Sequence, residues 1–327
     1  MRISLQKIIT PSIFTVILTY VLCLGLWFIS FILNKHVYPI TGYVGTFAEG
    51  FLPSQSIIAQ LISFILTVLN SVLITQMNNK YAFIRTRTFM PVFIYLLISS
   101  FWLPIHGNYV ATLASLFVLL AIFLTLLMYK DTRGVEQAFL SFFFLALSSF
   151  LVHEFAFLIL VFWIGYALLR CLSYRTFFAS VIGFITPWIL LYSILTFIFN
   201  QTELFPDLKG IIYQYQLFEF VNLPTMIYIG IMFLIFSITM IGMSSNTRHD
   251  VIQARNELVF FRLMAFGLIL ILVLRFSNFV SYLPLIAAIY ALLSAYTFTL
   301  VKNLFYSITF IVFCVVSFAY LLYQLFI

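Results

Sequence analysis

Charge is what this chain has least of. Only 8% of its 327 residues are Asp, Glu, Lys or Arg, whereas soluble domains carry about 25%. So few charges cannot coat a water-facing surface, and 41 phenylalanines in a chain that is 64% hydrophobic cannot all hide in one core. A soluble domain is excluded, and the main solvent must be lipid. Glycine is scarce as well, with 12 residues. With Phe and Leu in its place, the composition points to lipid-facing bulk more than to tightly packed small-residue seams. Three cysteines, Cys23, Cys171 and Cys314, lie in or beside apolar runs without metal-ligand spacing, which argues against a disulfide framework. The net charge of +7 would suit nucleic acid, but the basic residues are dispersed in short loops, so nucleic acid is set aside as a partner. The chain shows no Walker loop, Rossmann fingerprint, Ser–His–Asp signature or CxxC pair, and no cofactor is indicated. Ionisable residues are also missing from the centres of the apolar runs, where ion-coupled transporters place them; Arg262 is the main exception.

What is present is a succession of long apolar runs. A spanning helix needs about 20 apolar residues. Runs of that kind cover 12–33, 55–76, 110–129, 177–199, 223–243, 257–275, 280–298 and 304–326. The first follows "MRISLQK" but is long enough to span and lacks a small-residue cleavage site, so it reads as a retained helix. Two longer stretches each need a decision. One, 83–129, is interrupted by "PIHGNY" at 104–109; the other, 138–169, by His153–Glu154. Basic loops flank both stretches, carrying Lys80, Arg85 and Arg87, then Lys130 and Arg133, then Arg170 and Arg175. If all three loops face the cytoplasm, an even number of crossings separates each pair. The stretches therefore divide into 83–103 with 110–129, and 138–152 with 155–169. The expectation is an all-α, polytopic bundle of about eleven spans in a bacterial inner membrane. It forms a single membrane domain over 1–327, with the N-terminus inside and the C-terminus outside. On this topology thirteen of the sixteen Lys and Arg face inward, leaving Lys35, Lys209 and Arg275 outside.

The outer side then collects the unusual polar residues. His153 and Glu154 lie at the tip of a hairpin whose arms are only about 15 residues, or roughly 22 Å, long. A hydrated turn would need polar groups anyway. A tip sunk into the bilayer would instead put an acid in a cavity, because backbone at that depth must line water or be buried in protein. His106 falls in a turn that Pro104 and Gly107 already explain. Glu49 lies in the first outer loop, 34–54, and apolar residues at helical spacing over 208–220 suggest an amphipathic helix on the outer surface. Lys35, Lys209 and Arg275 would snorkel to headgroups or grip a phosphate. No metal-ligand spacing joins the histidines. On the inner side, "SSNTRHDVIQARNEL" reads as a solvated extension of the ninth span, capped near Ser245 or Asn246. Pro187 should kink the seventh span.

"MNNKYAFIRTRTFMPVFIYLLIS" and "RTFFASVIGFITPWILLYSI" resemble uncharacterised many-span inner-membrane families of Bacteroidota. The span number, the first-loop acid Glu49 in "TFAEGF" and the surface helix over 208–220 resemble the GT-C class of membrane glycosyltransferases and polymerases of surface polysaccharide. The class usually shows paired acids there, and this chain has one. The resemblance implies a polyprenyl-phosphate-linked sugar as partner. It also implies transfer or polymerisation of that sugar at the outer face, with Glu49 as base or metal ligand and Glu154, beside His153, as a second acid. Arg275 and Lys209, with Lys35 and His106, would bind the donor. The alternative is a non-enzymatic membrane-complex subunit or a lipid or small-molecule transporter.

Overall fold

The computed structural model describes residues 13–33, 50–86, 88–199, 222–247, 250–301 and 303–326. Lys35, Glu49, Lys209 and the surface helix expected over 208–220 lie outside these residues. Each of the eleven expected runs holds a helix: α1 Ile13–Leu33, α2 Ile57–Tyr81, α3 Met90–Phe101, α4 Tyr109–Leu127, α5 Val135–Leu151, α6 Leu158–Leu168, α7 Tyr174–Phe199, α8 Leu223–Asn246, α9 Ile252–Leu274, α10 Phe279–Leu300 and α11 Leu304–Phe326. Among the described residues eight of them are long and apolar enough to cross a membrane, so the chain is an integral membrane protein of several passes. The other three, α3, α5 and α6, have 12, 17 and 11 residues. At the helical rise α3 and α6 reach about 18 Å, well short of a bilayer core of about 30 Å.

The bundle is built around α10, which packs against α3, α4, α8 and α9. Almost every residue from Phe279 to Phe298 is buried. Ala287, Ala288, Ala291, Ser294 and Ala295 make this central helix thin, so its neighbours approach closely. Small-residue seams therefore exist after all, and composition concealed them because they are confined to the centre. The bulk is at the periphery: Phe14, Val21, Leu22 and Ile32 of α1 are more than half exposed. In lipid that exposure carries no hydrophobic penalty. α2 contributes a buried polar stripe at helical spacing, Gln60, Ser63, Thr67 and Asn70. Ser63 donates to Ile105 O at 3.1 Å, and Asn70 Nδ2 to Ser115 Oγ at 2.9 Å. Such bonds tie helices together where water offers no alternative partner.

Two boundaries differ from expectation. The run starting at 83 becomes helical only at Met90. Ala82 turns into the left-handed region (φ 48°), Asn78 Oδ1 accepts the Ile84 N–H at 3.3 Å, and Pro91 favours the first turn of the next helix. Nor does a cap near Ser245 open the ninth span. Ser245 Oγ and Asn246 Nδ2 both donate to Gly242 O, at 2.8 and 3.0 Å, and so close α8. α9 starts at Ile252; Ile252, Gln253 and Arg255 of its first turn are exposed, but Glu257 is fully buried. α7 runs unbroken through Pro187.

Loops meet at two ends of the bundle. At one, the loop after α2 touches the loop before α9 through Arg85 and Asp250, and Lys130 N donates to Leu169 O at 3.0 Å. At the other, Asn278 reaches Glu154, and Leu103 N donates to Gln324 Oε1 at 3.1 Å.

Candidate functional site

The α5–α6 connection is the five-residue 3₁₀ segment His153–Phe157. Val152, extended at φ −133°, closes α5 by donating to Ser148 O. The turn that follows carries Glu154 inward: it is 7% exposed, although the chain reverses direction there. Glu154 Oε1 accepts from Asn278 Nδ2 at 2.9 Å, and Arg275 Nε lies 4.0 Å from the same oxygen. Arg275 is the first residue past α9, where its own N–H still bonds Ile271 O. Asn278 caps α10 one short 3₁₀ turn later. The α9–α10 turn thus grips the α5–α6 tip.

Tyr282, one turn into α10, is fully buried, and its hydroxyl faces the Glu154 carboxylate. Half-buried His153 completes the group. Burial pushes its imidazole below the usual value, with Glu154 opposing the shift and Arg275 reinforcing it. A carboxylate, an imidazole, a guanidinium and a phenol meet here. That set can accept a proton and hold an anion.

Below the site runs an apolar cavity of about 140 Å³, walled by α3, α8, α9 and α10. Leu272 and Phe279, on either side of the Arg275–Asn278 turn, both line it, as do Trp102, Met232 and Leu283. Its upper end therefore lies under the turn that carries Arg275.

Of the other sequence candidates, His106 does not join this group. It is buried, stacked on Trp27 with ring centroids 4.1 Å apart, and its Nε2 lies 3.2 Å from Ser99 O. The carbonyl can only accept, so Nε2 carries the proton, and burial pushes the imidazole down to about 3. His106 ties α1 to the α3–α4 turn. Among the described residues no three His, Cys, Asp or Glu side chains cluster as metal ligands.

Asn278 and Tyr282 escaped the sequence reading; their only signal was the spacing from Arg275 across a three-residue turn. So did a second cluster at the opposite end. There the Asp250 side chain, 2% exposed, pairs with Arg85 Nε and accepts from Tyr296 OH. One turn into α9, Glu257 Oε1 accepts from Gln253 at 2.9 Å, and its Oε2 has no partner. No protein-family model matches the chain, and neither a curated protein nor a solved structure is significantly similar to it.

Proposed function

We propose that the protein crosses the bacterial inner membrane eleven times, N-terminus inside, and acts at its outer face on a polyprenyl-phosphate-linked sugar in envelope glycan assembly. The observation that carries this reading is the approach of Arg275 to Glu154, beside His153, at a turn whose flanking residues Leu272 and Phe279 line the apolar cavity. A prenyl chain matches an apolar slot between helices, and its phosphate matches a guanidinium at the slot's end. Arg275 would hold the leaving phosphate, with Lys35 and Lys209 as further cations. Glu49 would be the base that takes the proton of an acceptor hydroxyl, with Glu154, beside His153, as the second acid. The transfer forms a glycosidic C–O bond and breaks the C–O bond to phosphate, which leaves with the electron pair.

A second reading, carriage of a lipid without chemistry, is favoured by one observation. Glu154 already has two partners, and Asp250 has two at the opposite end. Both ends of α9–α10 are therefore clasped, with an apolar cavity between them.

The loop pairings support the orientation, because Arg85 with Asp250 and Glu154 with Asn278 each join loops that charge assigns to one side. Reporter fusions after residues 106 and 154 should report outside, and fusions after 133 and 172 inside. An inside signal at 154 would remove the outer-face site.

A further inference from the structure

We infer that the Arg85 end of the bundle holds a second binding site, one for a phosphate group, which is the part of the ligand the site reads. Between α1, the end of α2 and the 82–89 loop lies a cleft of about 730 Å³. Its polar lining includes Tyr20, Asn78, Asn79, Arg85, Thr86 and Thr88, and no Asp or Glu lines it among the described residues. The groups around the loop are set to donate. Asn78 Oδ1 is occupied by the Ile84 N–H, which leaves the amide N–H pair. Thr88 Oγ1 accepts the Met90 N–H at 3.1 Å, which leaves its O–H. Arg85 is committed to Asp250 through Nε, which leaves the terminal N–H groups of its fork. Asp250 is buried behind the arginine and is itself held by Tyr296. The guanidinium is thus held at the cleft wall before any ligand arrives, which removes part of the ordering cost of binding.

A bare positive charge would also attract chloride or a carboxylate. The planar fork flanked by amide and hydroxyl donors suits the several oxygens of a phosphate better. Carbonyls at the end of α2 oppose an anion, so binding must rest on Arg85. The phosphate could belong to an inner-leaflet lipid headgroup, because apolar Val16 of α1 lines the same cleft, or to a small soluble phosphate compound.

The test titrates the full chain in neutral detergent, by calorimetry, with inorganic phosphate and separately with a short-chain phosphatidylglycerol. At least one probe should saturate at millimolar concentration or below. Phosphate alone would identify a soluble ligand, and the lipid alone a headgroup. Arg85→Lys keeps the charge that Asp250 needs and should weaken binding at least about tenfold. Asn79→Ala alters an exposed residue, so folding is not at stake, and it should weaken binding by about threefold or more. Saturation by neither probe, equal binding in both variants, or an affinity that follows Arg275→Lys instead of Arg85→Lys would overturn the inference.

Discussion

On the proposed role in glycan assembly, Arg275→Lys should leave the protein at wild-type abundance and strip the cell of most of its surface glycan. The two halves of this result have different physical sources. Arg275 ends α9, and a cation there gains about 0.3–1 kcal/mol from the helix macrodipole. Lysine keeps that term and also keeps a positive partner for Glu154, so stability should hardly move. What lysine cannot reproduce is a planar fork that gives two parallel N–H bonds to a phosphate. One such charged hydrogen bond is worth about 2 kcal/mol, which corresponds to roughly 30-fold in affinity at about 1.4 kcal/mol per decade. Glu154→Gln should give the same phenotype by another route. The glutamine oxygen can still accept from Asn278, but the charge and the basicity are gone. Surface glycan extracted from cells carrying each variant, with protein quantified in the same membranes, separates the possibilities. Normal glycan in both variants at normal protein levels would remove the donor-binding assignment and leave lipid carriage without chemistry in front.

Gly183→Val should be the most damaging single change to the fold. A side chain at Gly183 would place its first carbon 2.3 Å from Phe139 O and 3.0 Å from that residue's carbonyl carbon and Cα. These are backbone atoms, so no rotamer change relieves the clash; α7 must move away from α5. Overpacking typically costs about 1–3 kcal/mol, and a contact that separates two backbones should reach about 3 kcal/mol or more. Gly230 offers the control, because nothing lies within 4 Å of a carbon added there. Gly230→Ala should be neutral or slightly stabilising, since alanine is the better helix former. Thermal unfolding in detergent, read with gel-filtration recovery, should rank Gly183→Val far below wild type and Gly230→Ala level with it. Equal stability of the two variants would mean that α5 and α7 do not meet at Phe139.

The helices were readable because an apolar run of sufficient length has few alternatives in a lipid solvent. Their placement around one another was not. In a soluble bundle the apolar stripe tells which way a helix faces. In lipid both faces are apolar, and the one cue that α10 is central while α1 is peripheral, the α10 small residues Ala287, Ala288, Ala291, Ser294 and Ala295, is diluted in the composition of the whole chain. The parity of the hairpins could be argued from Lys and Arg, because those residues sort to one side, but their partners could not. Arg85 and Asp250 are 165 positions apart, and no local pattern joins them. Glu257 was passed over because the start of its helix was placed too early, which put the acid in a supposedly wet extension. Glu154 was found for a sound reason, a charge inside an apolar run. Its grip by Asn278 came from a turn whose short 3₁₀ geometry the residues "FSN" do not advertise.

The assignment of a lipid-phosphate site can be tested by direct capture. Membranes containing the protein would be loaded with a polyprenyl phosphate that carries a photoreactive group on its chain, then irradiated and digested, and the adducts located by mass spectrometry. A prenyl chain seated under the Arg275 turn should label Met232, Leu272 and Leu283, which line the cavity, and Arg275→Lys should remove most of that label. Adducts confined to the exposed flanks of α1 and α11, in the same pattern with and without Arg275, would contradict the site.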